Sequence, residues 1–229
     1  MQAKSFSLNI NHKIKPFIKS IKVDSDKSLS IRSFLIGSIC QDISVAKNVL
    51  ESEDVFSTIN CLKKLGVQIR KKSKSYFIHG KGLGSFFAKK NLNLNFGNSG
   101  TLARLLIGIL STTPDIEIKV QGDHSLNKRS MKKLIKLMSE FGAEFLPKNK
   151  FNFPLKIIST EMPVGIKYKA GVSAQLKSAV MLAGLNSYGI TEIIEDKKSR
   201  DHTENMLIKN SQAIKIKKGR KKLIKIFGK

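Results

Sequence analysis

Tryptophan is absent from this 229-residue sequence, and only 3 tyrosines accompany its 13 phenylalanines, so flat aromatic platforms for stacking bases are in short supply. Acidic residues are scarce too: 17 Asp and Glu stand against 42 Lys and Arg, a formal charge of +25. Such a chain is drawn to anions, either polymers or small phosphorylated compounds. The basic residues are mostly lysines spread along the whole length, the pattern of a solvated surface rather than of one binding arm. Two cysteines, Cys40 and Cys61, form no CxxC pair. His12, His79, His124 and His202 are scattered, with neither HExxH nor zinc-finger spacing. A disulfide framework and a structural metal are therefore not expected, and a reducing cytoplasm is the default setting. No apolar run approaches the roughly 18 residues of a membrane span, and residues 1–15 lack the apolar core of a secretory signal. No Gly/Ser linker or proline-rich break divides the chain.

A threefold internal repeat of about 70 to 76 residues is present instead. One part of each copy reads as helix, tight stop, strand, charged turn, strand. It runs over Ile59–Gly82, Ile135–Thr160 and Glu204–Lys229. Gly66 and Gly142 stand where a helix C-terminus favours positive φ, and Gln212 fills the third slot. A second part precedes each of these: a short strand, a cluster of small polar residues, and a helix apolar on nearly all sides. Its copies are SIKVDSDKSLSIRSFLIGSIC, LNLNFGNSGTLARLLIGILST and GIKYKAGVSAQLKSAVMLAGL. Ser28, Gly100 and Ser173 fall at related places, 72 and 73 residues apart. A helix apolar all round is buried. The expectation is an α/β (α+β) domain of three βαβαββ pseudo-repeats packed around three buried central helices. The more amphipathic second helices are ESEDVFSTINCLKKLG, LNKRSMKKLIKLMSEFG and RDHTENMLIKN.

Each buried helix opens on groups suited to an anion, because a helix N-terminus offers unpaired N–H groups and the positive end of its dipole. The first start carries Lys27 and Ser28, with Arg32 one turn on. The second is Gly97-Asn98-Ser99-Gly100-Thr101, followed by Arg104. The third is Val172-Ser173-Ala174-Gln175, with Lys177 nearby. Taken singly, each is an ordinary cap. The same construction three times in register, with arginines in otherwise apolar helices, points to a phosphate or carboxylate site where the three starts meet. A fourth cluster, Gly122–Ser130, contains Lys128 and Arg129. In a fifth, Glu195–Leu207, Ser199 is placed to cap a helix whose first turn holds Arg200 and Asp201. No Ser-His-Asp set, P-loop or dinucleotide fingerprint occurs, and no buried carboxylate pair is evident.

At these clusters the sequence resembles the EPSP synthase family, with the second, more divergent bacterial class the better match at SRDHTE and Ala174. The motifs are DKSLSIR (Asp26–Arg32), GNSGTLARLL (Gly97–Leu106), GDHSLNKRSM, SAQLKSAVMLAGL and SRDHTENML, in the family's order. The resemblance spans Ile18–Lys229. It implies an enolpyruvyl transferase-like fold and transfer of the enolpyruvyl group of phosphoenolpyruvate to the 5-hydroxyl of shikimate-3-phosphate, giving EPSP and phosphate, with no cofactor. By the same resemblance Lys27, Ser28, Arg32, Ser173, Ala174, Gln175 and Arg200 hold shikimate-3-phosphate. Lys27, Gly100, Arg129 and Gln175 hold phosphoenolpyruvate, and Lys27 is the catalytic group. Gly100 implies a site sensitive to glyphosate. Asp24-Ser25 replaces the family's Pro-Gly, and Arg129-Ser130 its Arg-Pro.

The family is about twice as long. The expectation is therefore one domain over residues 18–229, with repeats at about 18–90, 91–163 and 164–229. Residues 1–17 are expected to pair with an absent second domain, and a second-half chain is expected to complete the site. No membrane or nucleic-acid partner is expected. Two other readings remain: the sister transferase acting on a UDP-amino sugar, UDP-N-acetylglucosamine enolpyruvyl transferase, and a basic nucleic-acid binding module.

Overall fold

The computed structural model describes residues 7–9, 11–13, 15–89, 91–210 and 212–229. In chain order, the first group of elements is α1 (Lys27–Ile39), β1 (Ile43–Lys47), α2 (Glu53–Lys64), β2 (Gln68–Lys72) and β3 (Ser75–His79). The second is β4 (Asn93–Asn95), α3 (Gly100–Ser111), β5 (Glu117–Gln121), α4 (His124–Asn127), α5 (Lys132–Glu140), β6 (Glu144–Leu146) and β7 (Leu155–Ile158). The third is β8 (Lys167–Ala170), α6 (Ala174–Gly184), β9 (Ile190–Glu195), α7 (His202–Leu207), β10 (Ile214–Lys217) and β11 (Lys222–Phe227).

Each group builds its own sheet, ordered β1-β3-β2, β4-β5-β7-β6 and β10-β11-β9-β8. In the second and third sheets the first strand lies parallel to the next (Leu94 beside Val120, Tyr168 beside Ile193), since a helix carries the chain back between them. The later strands form antiparallel pairs, with Ile118 facing Ile157 and Ile224 facing Ile193. The first group departs from the expected pattern. No strand forms at Ser20–Val23: residues 15–26 belong to no helix or sheet, and Ile18, Ile21 and Val23 are exposed. Alternating apolar residues make a strand only where a partner edge accepts their amides. The outer edge of β1 has no such neighbour among the described residues.

Helices α1, α3 and α6 carry the core. Ile31, Phe34 and Leu35 of α1, Leu102 to Leu110 of α3 without Arg104, and Ala179 to Ala183 of α6 are buried. Their caps correct the register read from the sequence. Asp26, Ser99 and Ser173 are the N-caps, each accepting from the amide three residues on: Leu29 at 2.7 Å, Leu102 at 3.3 Å, Leu176 at 3.4 Å. Ser28 thus lies inside the first turn of α1, and Ser173 corresponds to Ser99 rather than to Gly100. Gly66 and Gly142 adopt φ of 87° and 109°, as the stop signals required. The third copy needs no such residue at Gln212, because α7 ends at Leu207.

The α3–α6 contact depends on a missing side chain. A Cβ on Gly108 would lie 2.6 Å from the Ala179 carbonyl oxygen and 3.0 Å from its Cα. Gly108→Ala should therefore destabilise by about 1–2 kcal/mol, overpacking exceeding the gain in helix propensity. Gly171, where an added Cβ meets nothing within 4 Å, is the control. Urea denaturation should show a lower midpoint for Gly108→Ala and an unchanged one for Gly171→Ala.

Candidate functional site

The starts of the three central helices are tied to one another by side chains. Lys27 Nζ, half exposed, pairs with Asp54 Oδ2 at 3.0 Å in the first turn of α2. One turn further along α2, Ser57 abuts the glycine loop: a Cβ on Gly97 would come 2.9 Å from its Oγ. Gln175 Nε2, in the first turn of α6, donates to Thr101 Oγ1 at 2.9 Å in the first turn of α3. The Arg129 loop joins the same end, through Asp123 N–H to the Gly97 carbonyl at 2.8 Å and Arg129 Nη2 to Asn98 Oδ1 at 2.8 Å. Lys27, Gly100, Gln175 and Arg129 thus share one end of the domain.

Two arginine pairs sit at that end. Arg32 is 3% exposed. Its Nε donates to Thr203 Oγ1 at 2.9 Å, Nη2 to Ser178 Oγ at 3.3 Å and Nη1 to the Ser28 carbonyl at 3.0 Å. Burial first, and then the positive charge of Arg200, pushes the Arg32 guanidinium below its ordinary range. Arg104, in the second turn of α3, donates to the Gly100 carbonyl at 3.0 Å. It too is pushed down, by burial and then by Arg129. A Cβ on Gly100 would meet Arg104 Nη1 at 2.7 Å and Arg129 Nη1 at 3.3 Å, so both guanidinium groups lean over the bare face of Gly100. Among the described residues every ion pair engages a lysine and none an arginine. Like charges held close in partly desolvated surroundings favour a bound anion, and at Arg32 the charges of Asp26 and Glu204 offset only part of that repulsion. Beside them a cavity of about 700 Å³ opens between α5 and the start of α6, bordered by Arg104, Ser130, Lys133, Tyr168 and Ser173. Arg32 is not part of that cavity's lining; next to its buried side chain Ser28 is half-buried and Arg200 exposed.

Four sequence expectations are corrected here. Lys177 is no ligand for a soluble anion: it is fully buried, with Nζ 2.6 Å from Glu195 Oε1 and 2.6 Å from Glu204 Oε1. Those glutamates are a buried carboxylate pair that the sequence did not reveal, because their partners lie on separate elements 18 and 27 residues from Lys177. Ser199 does not cap α7. Its N–H and Oγ both donate to Glu195 Oε1, at 3.0 and 2.7 Å, leaving Asp201 at the N-cap position and Arg200 outside the helix. The helix expected over LNKRSMKKLIKLMSEFG is broken into α4 and α5. Met131 N–H bonds to the Phe151 carbonyl at 2.7 Å, and this long-range bond fixes Arg129 and Ser130 in a loop.

Burial alone would raise the Glu195 carboxyl, but hydrogen bonds from Lys177 and Ser199 and the Lys177 charge bring it down to about 2. A carboxyl depressed on folding stabilises above its ordinary value of 4.5, and that contribution is lost as pH falls through about 2. Urea midpoints should decline progressively from about pH 4.5 to pH 2, and Glu195→Gln should flatten that decline.

Residues 12–229 match the profile of EPSP synthase (3-phosphoshikimate 1-carboxyvinyltransferase). The chain belongs to the EPSP synthase family. It is 39% identical over 199 residues to the 3-phosphoshikimate 1-carboxyvinyltransferase of Syntrophomonas wolfei, covering 86% of this chain and 46% of that relative. To the enzyme of that name from Bacillus subtilis it is 40% identical over 196 residues, covering 85% and 45%. The solved EPSP synthase from Acinetobacter baumannii superposes with a TM-score of 0.81 at 36% identity, over 91% of this chain and 46% of that one. The chain thus spans about half the length of the curated relatives it matches. The family's enolpyruvyl transferase-like fold accounts for the three sheets around central helices. No helix among the described residues is long and apolar enough to cross a membrane.

Proposed function

We propose that this chain forms one wall of an enolpyruvyl-transfer site, joining phosphoenolpyruvate to the 5-hydroxyl of shikimate-3-phosphate with release of phosphate. The observation that carries the reading is geometric: Arg32 is hydrogen-bonded to the Ser28 carbonyl with Arg200 near it, and Arg104 and Arg129 lean over the bare face of Gly100, at the linked helix starts. Two cationic subsites suit two anionic substrates. Shikimate-3-phosphate takes the first, with Lys27, Ser28, Arg32, Ser173, Ala174, Gln175 and Arg200. Phosphoenolpyruvate takes the second, with Gly100, Arg129, Lys27 and Gln175, where the missing Cβ of Gly100 lets a carboxylate or phosphate oxygen reach both guanidinium groups. Lys27, steered by Asp54 at 3.0 Å and half exposed, is the catalytic group placed to bear on both anions. Its ammonium and the helix dipoles offset charge as the tetrahedral adduct forms and phosphate leaves.

The same reading takes residues 18–229 as one domain of the family's two. The stretch before Ile18, part of which lies outside the described residues, is assigned to the second on this reading, with a second-half chain to complete the site. The two unpaired cysteines fit a reducing, cytoplasmic setting.

Calorimetric titration with shikimate-3-phosphate tests the proposal. Saturable one-to-one binding is expected, at least tenfold weaker in Arg32→Met and unchanged in Lys218→Met on the β10–β11 turn. Binding of several equivalents, or equal binding by Arg32→Met, would mark the association as unspecific attraction to a basic surface. The 229-residue polypeptide alone should turn over little, and steady release of phosphate by it would contradict the two-domain reading.

A further inference from the structure

The Lys177 cluster lies beneath the arginines rather than among them. Lys177 of α6, Glu195 at the end of β9 and Glu204 of α7 are 0%, 2% and 1% exposed. Lys222 of β11 closes the group, with Nζ 3.5 Å from Glu195 Oε2 and 3.1 Å from Glu204 Oε1. Two cations and two carboxylates balance, but a buried ion cluster of this kind is often no more stabilising than apolar residues of the same volume. Stability alone does not account for it, whereas its connections do. Through Glu195 it grips both the N–H and the Oγ of Ser199, the residue before Arg200. Glu204 adjoins Thr203, whose Oγ1 accepts from Arg32 Nε at 2.9 Å and donates to Ser178 Oγ at 2.8 Å, next to Lys177. The positive charge of Arg200 bears on Arg32, so holding the two side by side needs groups that fix both in place. Glu204 also opposes that repulsion at Arg32 through space.

We infer that the Lys177–Glu195–Glu204–Lys222 cluster is a positioning device that holds Arg200, through Ser199, beside Arg32 to receive the phosphate of a small sugar-like acid. This rests on the reading of the first subsite given above. Holding two like charges at a fixed separation before binding removes the ordering cost from the association step.

The test compares Ser199→Ala, Ser199→Thr and Arg200→Met in the full chain, by shikimate-3-phosphate titration and thermal melting. Ser199→Ala removes one hydrogen bond in a loop and should leave the melting temperature nearly unchanged. It is expected to weaken binding about fivefold, and Ser199→Thr, which keeps the hydroxyl, should restore it. In an Arg200→Met background the Ser199→Ala change should have no further effect. Full affinity in Ser199→Ala, no loss in Arg200→Met, or the same fivefold loss with and without Arg200 would each overturn the inference. If the parent chain binds no shikimate-3-phosphate, the function proposed above fails. Amide hydrogen exchange then decides the positioning role by itself. Ser199→Ala, which leaves the buried charges paired, should speed exchange of the residue 199 amide severalfold while the α6 amides keep their protection. Unchanged exchange at residue 199, or acceleration throughout the chain, would refute it.

Discussion

Lys177→Met is expected to lower the stability of this chain by roughly 3–5 kcal/mol, since removing one partner of a buried ion cluster strands the others. Without the ammonium, Glu195 and Glu204 face each other with only Lys222, which is 22% exposed, between them. Glu204 Oε2 is already buried without a hydrogen-bond partner and gains none. Conversion at about 2–4 °C per kcal/mol for a chain of this size puts the fall in melting temperature at roughly 10 °C. Lys177→Met combined with Glu195→Gln and Glu204→Gln removes the stranded charge and should recover much of the loss. Thermal melts of the single and triple variants check this. A single variant as stable as the parent would mean that the cluster is solvated and that its burial has been misjudged.

Gly100→Ala should weaken phosphoenolpyruvate binding by about a hundredfold while leaving shikimate-3-phosphate binding within about twofold. The added methyl group would fall 2.7 Å from Arg104 Nη1 and 3.3 Å from Arg129 Nη1, below ordinary contact. At least one guanidinium must swing away, and a bidentate charged contact is worth on the order of 2–3 kcal/mol. The Arg32–Arg200 subsite touches neither group, so its ligand should scarcely register the change. Phosphorus NMR titration with each substrate separates the two responses. Equal weakening of both ligands would mean one merged site, and no weakening of either would free Gly100 from the role assigned to it.

The contrast between the two arginine pairs and Lys177 shows how far the sequence could be read. Arg32 and Arg104 each follow a cap inside an apolar helix, the placement of a cation awaiting an anion, and Lys177 follows a cap in the same way. The freedom from an ion pair that this placement suggests holds for the arginines among the described residues, although Asp26 and Glu204 act on Arg32 through space. For Lys177 it does not, because two glutamates from β9 and α7 reach it, and contacts between distant segments leave no local pattern. Ser199 carried a false signal for the same reason. A serine shortly before a helix usually caps it by accepting from a first-turn amide, but here Glu195 accepts from both the N–H and the Oγ–H of Ser199 and draws it away from the helix. The repeat, the cap clusters and the buried helices were legible because each rests on local spacing. The missing strand at Ser20–Val23 and the break at Lys128–Met131 were not, since both depend on what another part of the chain offers to a backbone amide.

Amide-resolved NMR during titration with shikimate-3-phosphate, then phosphoenolpyruvate, examines the shared-end arrangement most directly. Shifts are predicted at residues 27–30 and 173–176 with the first ligand, and at 98–102 and 128–130 with the second. Shifts scattered over the lysine-rich strands β10 and β11, with the helix starts unmoved, would contradict the account.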